Sequence, residues 1–543
     1  MKNIVNLISI VLIFNVVLFS QQSGNTNEPQ KNPPPQTTEP VDLPTIFVKG
    51  QLLLNVNSGS KQDPEKPMRL TMEQLDSLNS LEKQQSLPIQ IEPIPLAQSR
   101  VSVHKGYMNL DIGRFAMGTL NGGYSFNTEG YELFAKAGMD YSAGHVENSD
   151  YTKMYAKLSS DYIAPQKFFI FGGSRTKTQI EYRNSNYQLY AVSNPAERTT
   201  HNFNADVDVD GNYSGLRFQT GLGFEAFQSI TEANKAANNN IAGYLKIHKL
   251  WNSFMLAGNV LADMNYLRGN AANFIQLDGS AEWIVDNLSL NLNAGFQLAG
   301  SSTGIDRGGL LLSGNLEYRI DKRFTFKSAL QSGLENKNWT DYFKENPYLA
   351  NNSNLDFAYN IALAQAFLYY HPNNDMGLSI GGKFRITDRN PFYTNSSKMD
   401  GSFALNYESA VISNAVIELF WNLTENSKIL SNFQIISSSL SDKNSKNVPY
   451  MPNIKFAVDY STKIVENFGT TFGIDFVGER FADIENQKTI DSYLNIRAKI
   501  DYSLSNYFMV YASFDNLINQ EVMIFDGYKE RGMFVNIGLM LQF

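Results

Sequence analysis

The chain has no cysteine. Disulfides, thiolate catalysis, cysteine-ligated metal and lipid attachment through an N-terminal cysteine are thereby excluded. The absence is compatible with a bacterial envelope protein, which must cross an oxidising periplasm without mispaired thiols. Charge is sparse as well. Asp, Glu, Lys and Arg make up 18% of the residues, and the net charge of -8 leaves no basic footprint for nucleic acid. After the first 20 residues no uninterrupted apolar run approaches the roughly 20 residues a membrane helix needs, so the chain does not read as a helical membrane protein.

Clusters that carry chemistry are missing too. The five histidines, His104, His145, His201, His248 and His371, are scattered without ligand spacing. No Ser/His/Asp set stands at plausible positions, so neither an enzyme nor a cofactor is expected. The run Phe171-Gly172-Gly173-Ser174-Arg175-Thr176-Lys177-Thr178 superficially suggests a phosphate loop. It lacks the Gly-Lys-Ser/Thr ending and no helix follows, so it reads as a lumen-facing strand.

What is present is aromatic and small polar character, with 36 Phe, 28 Tyr and 38 Gly. Apolar residues are dispersed one at a time, which suits a membrane barrel because only alternate residues face lipid. The N-terminus has a charged start and an apolar run from Ile4 to Phe19, with a small residue at Ser20. This is the pattern of a secretory signal peptide over residues 1–20, removed after Ser20. Residues 21–100 read as a Pro/Gln-rich periplasmic segment, with Pro33, Pro34 and Pro35 near its start. One short helix is expected near 71–85, where Thr71-Met72-Glu73-Gln74 forms a capping box ahead of Leu75, Leu78 and Leu81.

From 101 to 543 the period becomes two. Leu288, Leu290, Leu292, Ala294, Phe296 and Leu298 alternate with Ser289, Asn291, Asn293, Gly295 and Gln297, placing one set toward lipid and the other toward water. Turn clusters such as Asp286-Asn287 and Ser505-Asn506 separate the ladders, with longer polar loops such as Lys344 to Asn354 between others. The pattern predicts an all-β fold: a large closed antiparallel transmembrane barrel of about 22 strands in the bacterial outer membrane, surrounded by its lipid. Charges on strands are expected in the lumen, since a charge facing lipid at the midplane costs about 2–4 kcal/mol. Asp206, Asp208 and Asp210 on one strand, Arg175 and Lys177 on another, and Arg497 and Lys499 near the end are the candidates. They either bias ion selectivity, or pair with one another or with the N-terminal segment and fill the space.

Met533, Val535, Ile537, Leu539, Leu541 and Phe543 form an unbroken apolar face on the last strand. A terminal strand ending in Phe is similar to the signal that outer-membrane barrels present to their assembly machinery, so Phe543 is expected to matter for insertion. Gly473-Ile474-Asp475-Phe476-Val477-Gly478-Glu479-Arg480-Phe481, the stretch Tyr511 to Asn519, and the turn Tyr528-Lys529-Glu530-Arg531-Gly532 resemble the C-terminal strands of TonB-dependent receptors. The resemblance covers about 70 residues closely. It implies a 22-strand barrel around an N-terminal plug that imports scarce ligands with energy relayed by TonB.

The chain departs from that pattern between Gln21 and Arg100, where no segment resembles the plug. Thr45, Ile46, Phe47 and Val48 are similar to the short extended box that pairs with TonB by strand addition. The expected function is a transport or receptor barrel for a small solute, working with TonB, a separate plug or a substrate-binding lipoprotein. It is an open pore, a barrel closed by its own residues 41–100, or half of a complex. The alternative is a structural or assembly barrel anchoring a periplasmic or surface partner.

Overall fold

The computed structural model describes residues 105–168, 171–251, 254–441 and 446–543. The signal peptide, the segment 21–100 with its expected helix, and the box Thr45 to Val48 all lie outside the described residues. The chain forms antiparallel strands in sequential order: β1 (Gly106–Gly113), β2 (Met117–Thr128), β3 (Tyr131–Ser142), β4 (Tyr151–Ile163), β5 (Arg175–Gln188) and β6 (Glu197–Tyr213). There follow β7 (Leu216–Thr231), β8 (Lys235–Trp251), β9 (Phe254–Leu267), β10 (Phe274–Val285), β11 (Leu288–Gly300) and β12 (Asp306–Arg319). Next come β13 (Phe324–Leu334), β14 (Tyr359–Asn373), β15 (Met376–Asn395), β16 (Phe403–Thr424) and β17 (Ser427–Leu440). The last are β18 (Ile454–Val465), β19 (Phe468–Val477), β20 (Tyr493–Ser503), β21 (Phe508–Asp515) and β22 (Phe534–Gln542).

Each strand pairs with its neighbour and β22 returns to β1, with Gly113 opposite Asn536, so the sheet closes as a 22-strand barrel. A two-residue strand, Asn270–Ala271, pairs only with β9 and stands outside the ring. Closure leaves no strand edge unpaired, which a sheet in lipid requires.

The two faces divide as the ladders require. On β22, Asn536 is 2% exposed while the adjacent Ile537 is 66% exposed. The outer wall carries Leu222, Leu277, Phe296 and Ile537, and the inner wall carries Asn109, Asn202, Asn240, Asp278 and Asn495. The seam between the first and last strands is tied from inside. The Tyr511 hydroxyl on β21 donates to Asn109 Oδ1 on β1 at 3.1 Å and to Asp111. Its ring passes over Gly538 of β22, where a Cβ would overlap it. Glycine is required there by this close approach.

Gly106, at the start of β1, and Phe543 meet at one rim. Connections on that rim are short, as at 129–130, 214–215, 286–287, 374–375 and 466–467. The opposite rim carries the long loops 335–358, 478–492 and 516–533. Two expectations need correction. Phe171 to Ser174 belong to a turn on the terminus rim and only Arg175 onward is strand, because Gly173 takes φ +74 and Gly172 packs on the Gln166 backbone. Lys344 to Asn354, expected as a longer polar loop, begins in the last turn of a short helix at Lys344 and Glu345, and its Asn346 and Leu349 are fully buried.

Candidate functional site

Loop 335–358 between β13 and β14 folds into the mouth of the barrel. It opens with a short helix, α1 (Trp339–Glu345), started by a reciprocal capping box in which Asn338 and Asp341 each accept from the other's backbone N–H. Trp339, Tyr342 and Phe343 share one face and are buried. They meet an apolar patch on the inner wall, where Phe227, Leu267, Phe274 and Ala299 replace the polar residues found lower in the lumen. The Phe227 ring lies 4.7 Å from Phe343 and 5.8 Å from Trp339. Burying side chains of this size supplies roughly 2–3 kcal/mol each toward the cost of ordering a short helix.

Beyond α1 the backbone is held at the mouth of the barrel from two sides. Pro347 O accepts from Arg198 Nη1 at 2.9 Å, and Leu349 O accepts from the same nitrogen at 2.8 Å. Phe403 N donates to Tyr348 O at 2.9 Å, and Ala350 N donates to Phe403 O at 2.7 Å. Arg198 is on β6 and Phe403 on β16, ten strands apart in a ring of 22. Phe403 lies in the part of the β15–β16 hairpin that extends past its pairing with β14 and β17, so residues 347–350 link the β6 wall to this hairpin tip, whose Gly401 packs on Leu189 of the β5–β6 loop.

Arg268 continues the grip on the loop, donating to Asn351 O at 2.6 Å and Ser353 O at 3.0 Å. Asn351 Nδ2 donates to Ser229 O and Asn234 O, and Asn238 Nδ2 to Thr340 Oγ1. At the far end of the loop, the Asp356 side chain is 5% exposed and lies between Arg307 at 3.0 Å and Arg389 at 2.6 Å. Arg389 sits where β15 bulges, between Thr387 and Asn390, and holds φ +58. A bulge re-aims a side chain, and a non-glycine residue at positive φ persists only when its surroundings hold it.

Loop 516–533 covers this segment. Tyr528 stacks on Tyr348 with centroids 3.5 Å apart, and its hydroxyl donates to Gly401 O at 2.7 Å. Tyr190, Phe403 and Phe525 complete the aromatic cluster. Burial raises the Tyr348 and Tyr190 phenols, keeping them neutral. At the edge of the cover His145 and Tyr190 both hydrogen-bond Lys529 O, at 2.6 and 2.9 Å. Burial lowers His145, and burial raises Glu530 to about 7 against the pull of Arg531 and Lys153.

The charges singled out from the sequence do not converge on this site. Arg175 pairs with Asp161 at 2.6 Å and Asp210 with Arg217 at 2.6 Å. Lys177 stands in register with Asp208, which accepts from the Tyr244 hydroxyl at 2.7 Å, and Asp206 stands opposite Gln179. Across the barrel, Arg497 bridges Asp459 at 2.8 Å and Asp475 at 2.7 Å, and Lys499 lies over the Tyr511 ring. Phe543 is half exposed at the terminus rim, exchanging backbone hydrogen bonds with Gly106. Sequence reasoning missed Arg198, Arg268, Asp356 and Arg389. The Asn338/Asp341 spacing ahead of Tyr342 and Phe343 was the available signal for α1.

Solved structures with the same architecture fix the fold. The copper transporter OprC superimposes with a TM-score of 0.64 at 9% identity, over 83% of this chain and 82% of that one. The fold is that of a TonB-dependent receptor barrel. The siderophore receptor PirA from Acinetobacter baumannii has a TM-score of 0.63 at 8% identity, covering 81% of this chain and 80% of its own. The FrpB iron transporter from Neisseria meningitidis (F3-3 variant) has a TM-score of 0.64 at 8% identity, covering 81% of each chain. No family model matches the sequence, and no curated protein does. At such identities a TonB-dependent receptor-like outer-membrane barrel is what is shared, and ligands do not transfer with it.

Proposed function

We propose that this chain is an outer-membrane transport barrel whose passage is controlled by its own loop 335–358. The observation that carries the reading is the hold on residues 347–350, hydrogen-bonded to β6 on one side and to the tip of the β15–β16 hairpin on the other. Transport is supported by the fold shared with proteins named as transporters and receptors, and by a lumen walled with amide and carboxylate side chains. Asp206, Asp208, Asp210, Arg175, Lys177, Arg497 and Lys499 belong to that wall and bias which small solutes pass. TonB pairing through Thr45 to Val48, a separate plug or lipoprotein partner, and recognition of Phe543 by the assembly machinery complete the proposal.

The test is solute flux into proteoliposomes holding the full mature chain. Wild type is expected to admit uncharged sugars slowly, and Asp356→Ala at least fivefold faster. If neither admits them, the barrel acts as an anchor for a partner.

A further inference from the structure

The tip of loop 516–533 is a short hairpin in which Met523 pairs with Lys529 and Phe525 with Tyr528. Asp526 and Gly527 make its turn, and Gly527 holds φ +82, a conformation glycine adopts without strain. Four residues of this tip, Phe525 to Tyr528, meet five other loops. Gly527 packs on Ala191 of the β5–β6 loop, where a Cβ would come within 2.7 Å of the alanine's own. Tyr528 stacks on Tyr348 of loop 335–358 and donates to Gly401 O at the β15–β16 tip. The Phe525 ring lies 5.3 Å from Tyr450 of the β17–β18 loop and 5.2 Å from Phe403. The Asp526 carboxylate accepts from Asn395 and, at 2.6 Å, from Lys488 of loop 478–492. Arg480 of that same loop, 2% exposed, donates to Met523 O.

We propose that this hairpin is a removable pin that locks the mouth: while it is seated the five loops hold together, and its withdrawal frees them as one unit. The pin regulates the passage assigned above to loop 335–358, and its role in transport rests on that reading. Two features carry it. First, links between loops run through the pin. Asn395 and Lys488 meet at the Asp526 carboxylate, and Tyr190 and Tyr348 both pack on the Tyr528 ring. Segments that share a contact in this way are coupled and open together. Second, the pin stands on a knot of its own. Asn516 Nδ2 donates to Gln520 O at 2.7 Å and to Arg531 O at 3.3 Å, and Met533 N donates to Asn519 Oδ1 at 2.7 Å. β21 ends at Asp515 and β22 starts at Phe534, outside this knot, so the hairpin lifts without unpairing either strand.

Hydrogen exchange read by mass spectrometry on the full mature chain in detergent tests this, comparing wild type with Asp526→Ala and with Tyr528→Ala. Both changes lie off the strands, so the gel mobility of a closed barrel should be unchanged. Exchange is expected to rise at least fivefold in both variants, and in step, across 189–196, 345–352, 396–403, 447–453 and 482–488. Phe403 also bonds Tyr348 and Ala350 directly, so protection at those amides separates a pin from a mere cover. The chain has no cysteine, so Asn395→Cys with Asp526→Cys adds the only thiols. That double variant should exchange fast, and joining its thiols with a short bifunctional reagent should restore protection in all five loops. The proposal is overturned if the rise is confined to 516–533, if the loops respond singly, or if the joined variant still exchanges fast. Release of all five loops with no change in solute flux in proteoliposomes would overturn the transport reading and leave the pin standing.

Discussion

Asp356 on the inward loop and Arg389 on the β15 bulge meet at 2.6 Å, and Arg307 closes on the same carboxylate from β12 at 3.0 Å. One buried carboxylate thus holds two strands and the end of the loop together. Removing one member of a buried pair costs about 3–5 kcal/mol, and the partial exposure of both arginines reduces that here to about 2 kcal/mol. Asp356→Ala is expected to undock the end of the loop and raise proteolytic cleavage within 335–358 about tenfold. Arg389→Ala should do less, since Arg307 remains.

Phe343 packs against Phe227 and Trp339. Phe343→Ala removes the middle of that stack at a cost of about 3 kcal/mol. The expected readout is a red shift of tryptophan emission as Trp339 meets water, with the strand content unchanged by circular dichroism. An unchanged spectrum would mean that α1 does not depend on this face.

Cover loop 516–533 should respond to pH through Glu530. Its carboxyl is raised from 4.5 to about 7 in the folded protein, first by burial. A raised acid favours the protonated, docked form. Its contribution is fully present below pH 4.5, is lost progressively as pH rises to 7, and is constant above that. Hydrogen exchange of 516–533, corrected for intrinsic rate, should therefore quicken between pH 4.5 and 7. Glu530→Gln should flatten the profile, and a profile unchanged by that variant would remove Glu530 from the cover.

The barrel was legible in the sequence for a simple reason. Lipid outside and water inside impose a period of two that survives every strand, and the two-residue turns leave little freedom of register. Leu288 to Leu298 reads as β11 directly. The inward loop was not legible because its fastenings are remote: Arg198 reaches Leu349 across 151 positions, and Arg268 reaches Asn351 across 83. A polar run such as Asn351 to Asn354 looks solvated until the arginines that bind its carbonyls are brought to it. The charges on β5 and β6 were readable as strand charges, but their pairing with Asp161 and Arg217 depends on register.

Gly538 tests the seam. A side chain there collides with Tyr511, which joins β21 to β1. Gly538→Val is expected to abolish the heat-modifiable mobility that marks a closed barrel on a gel. Tyr511→Phe should keep closure while lowering the melting temperature by a few degrees, for the loss of about 1 kcal/mol of hydrogen bonding.

The central claim, that loop 335–358 obstructs its own barrel, is tested most directly by single-channel conductance in a planar bilayer. The comparison is between the mature chain and a version with 335–358 replaced by a short Gly-Ser link. The account predicts near silence from the first and a large steady conductance from the second. Equal conductance from both would contradict it.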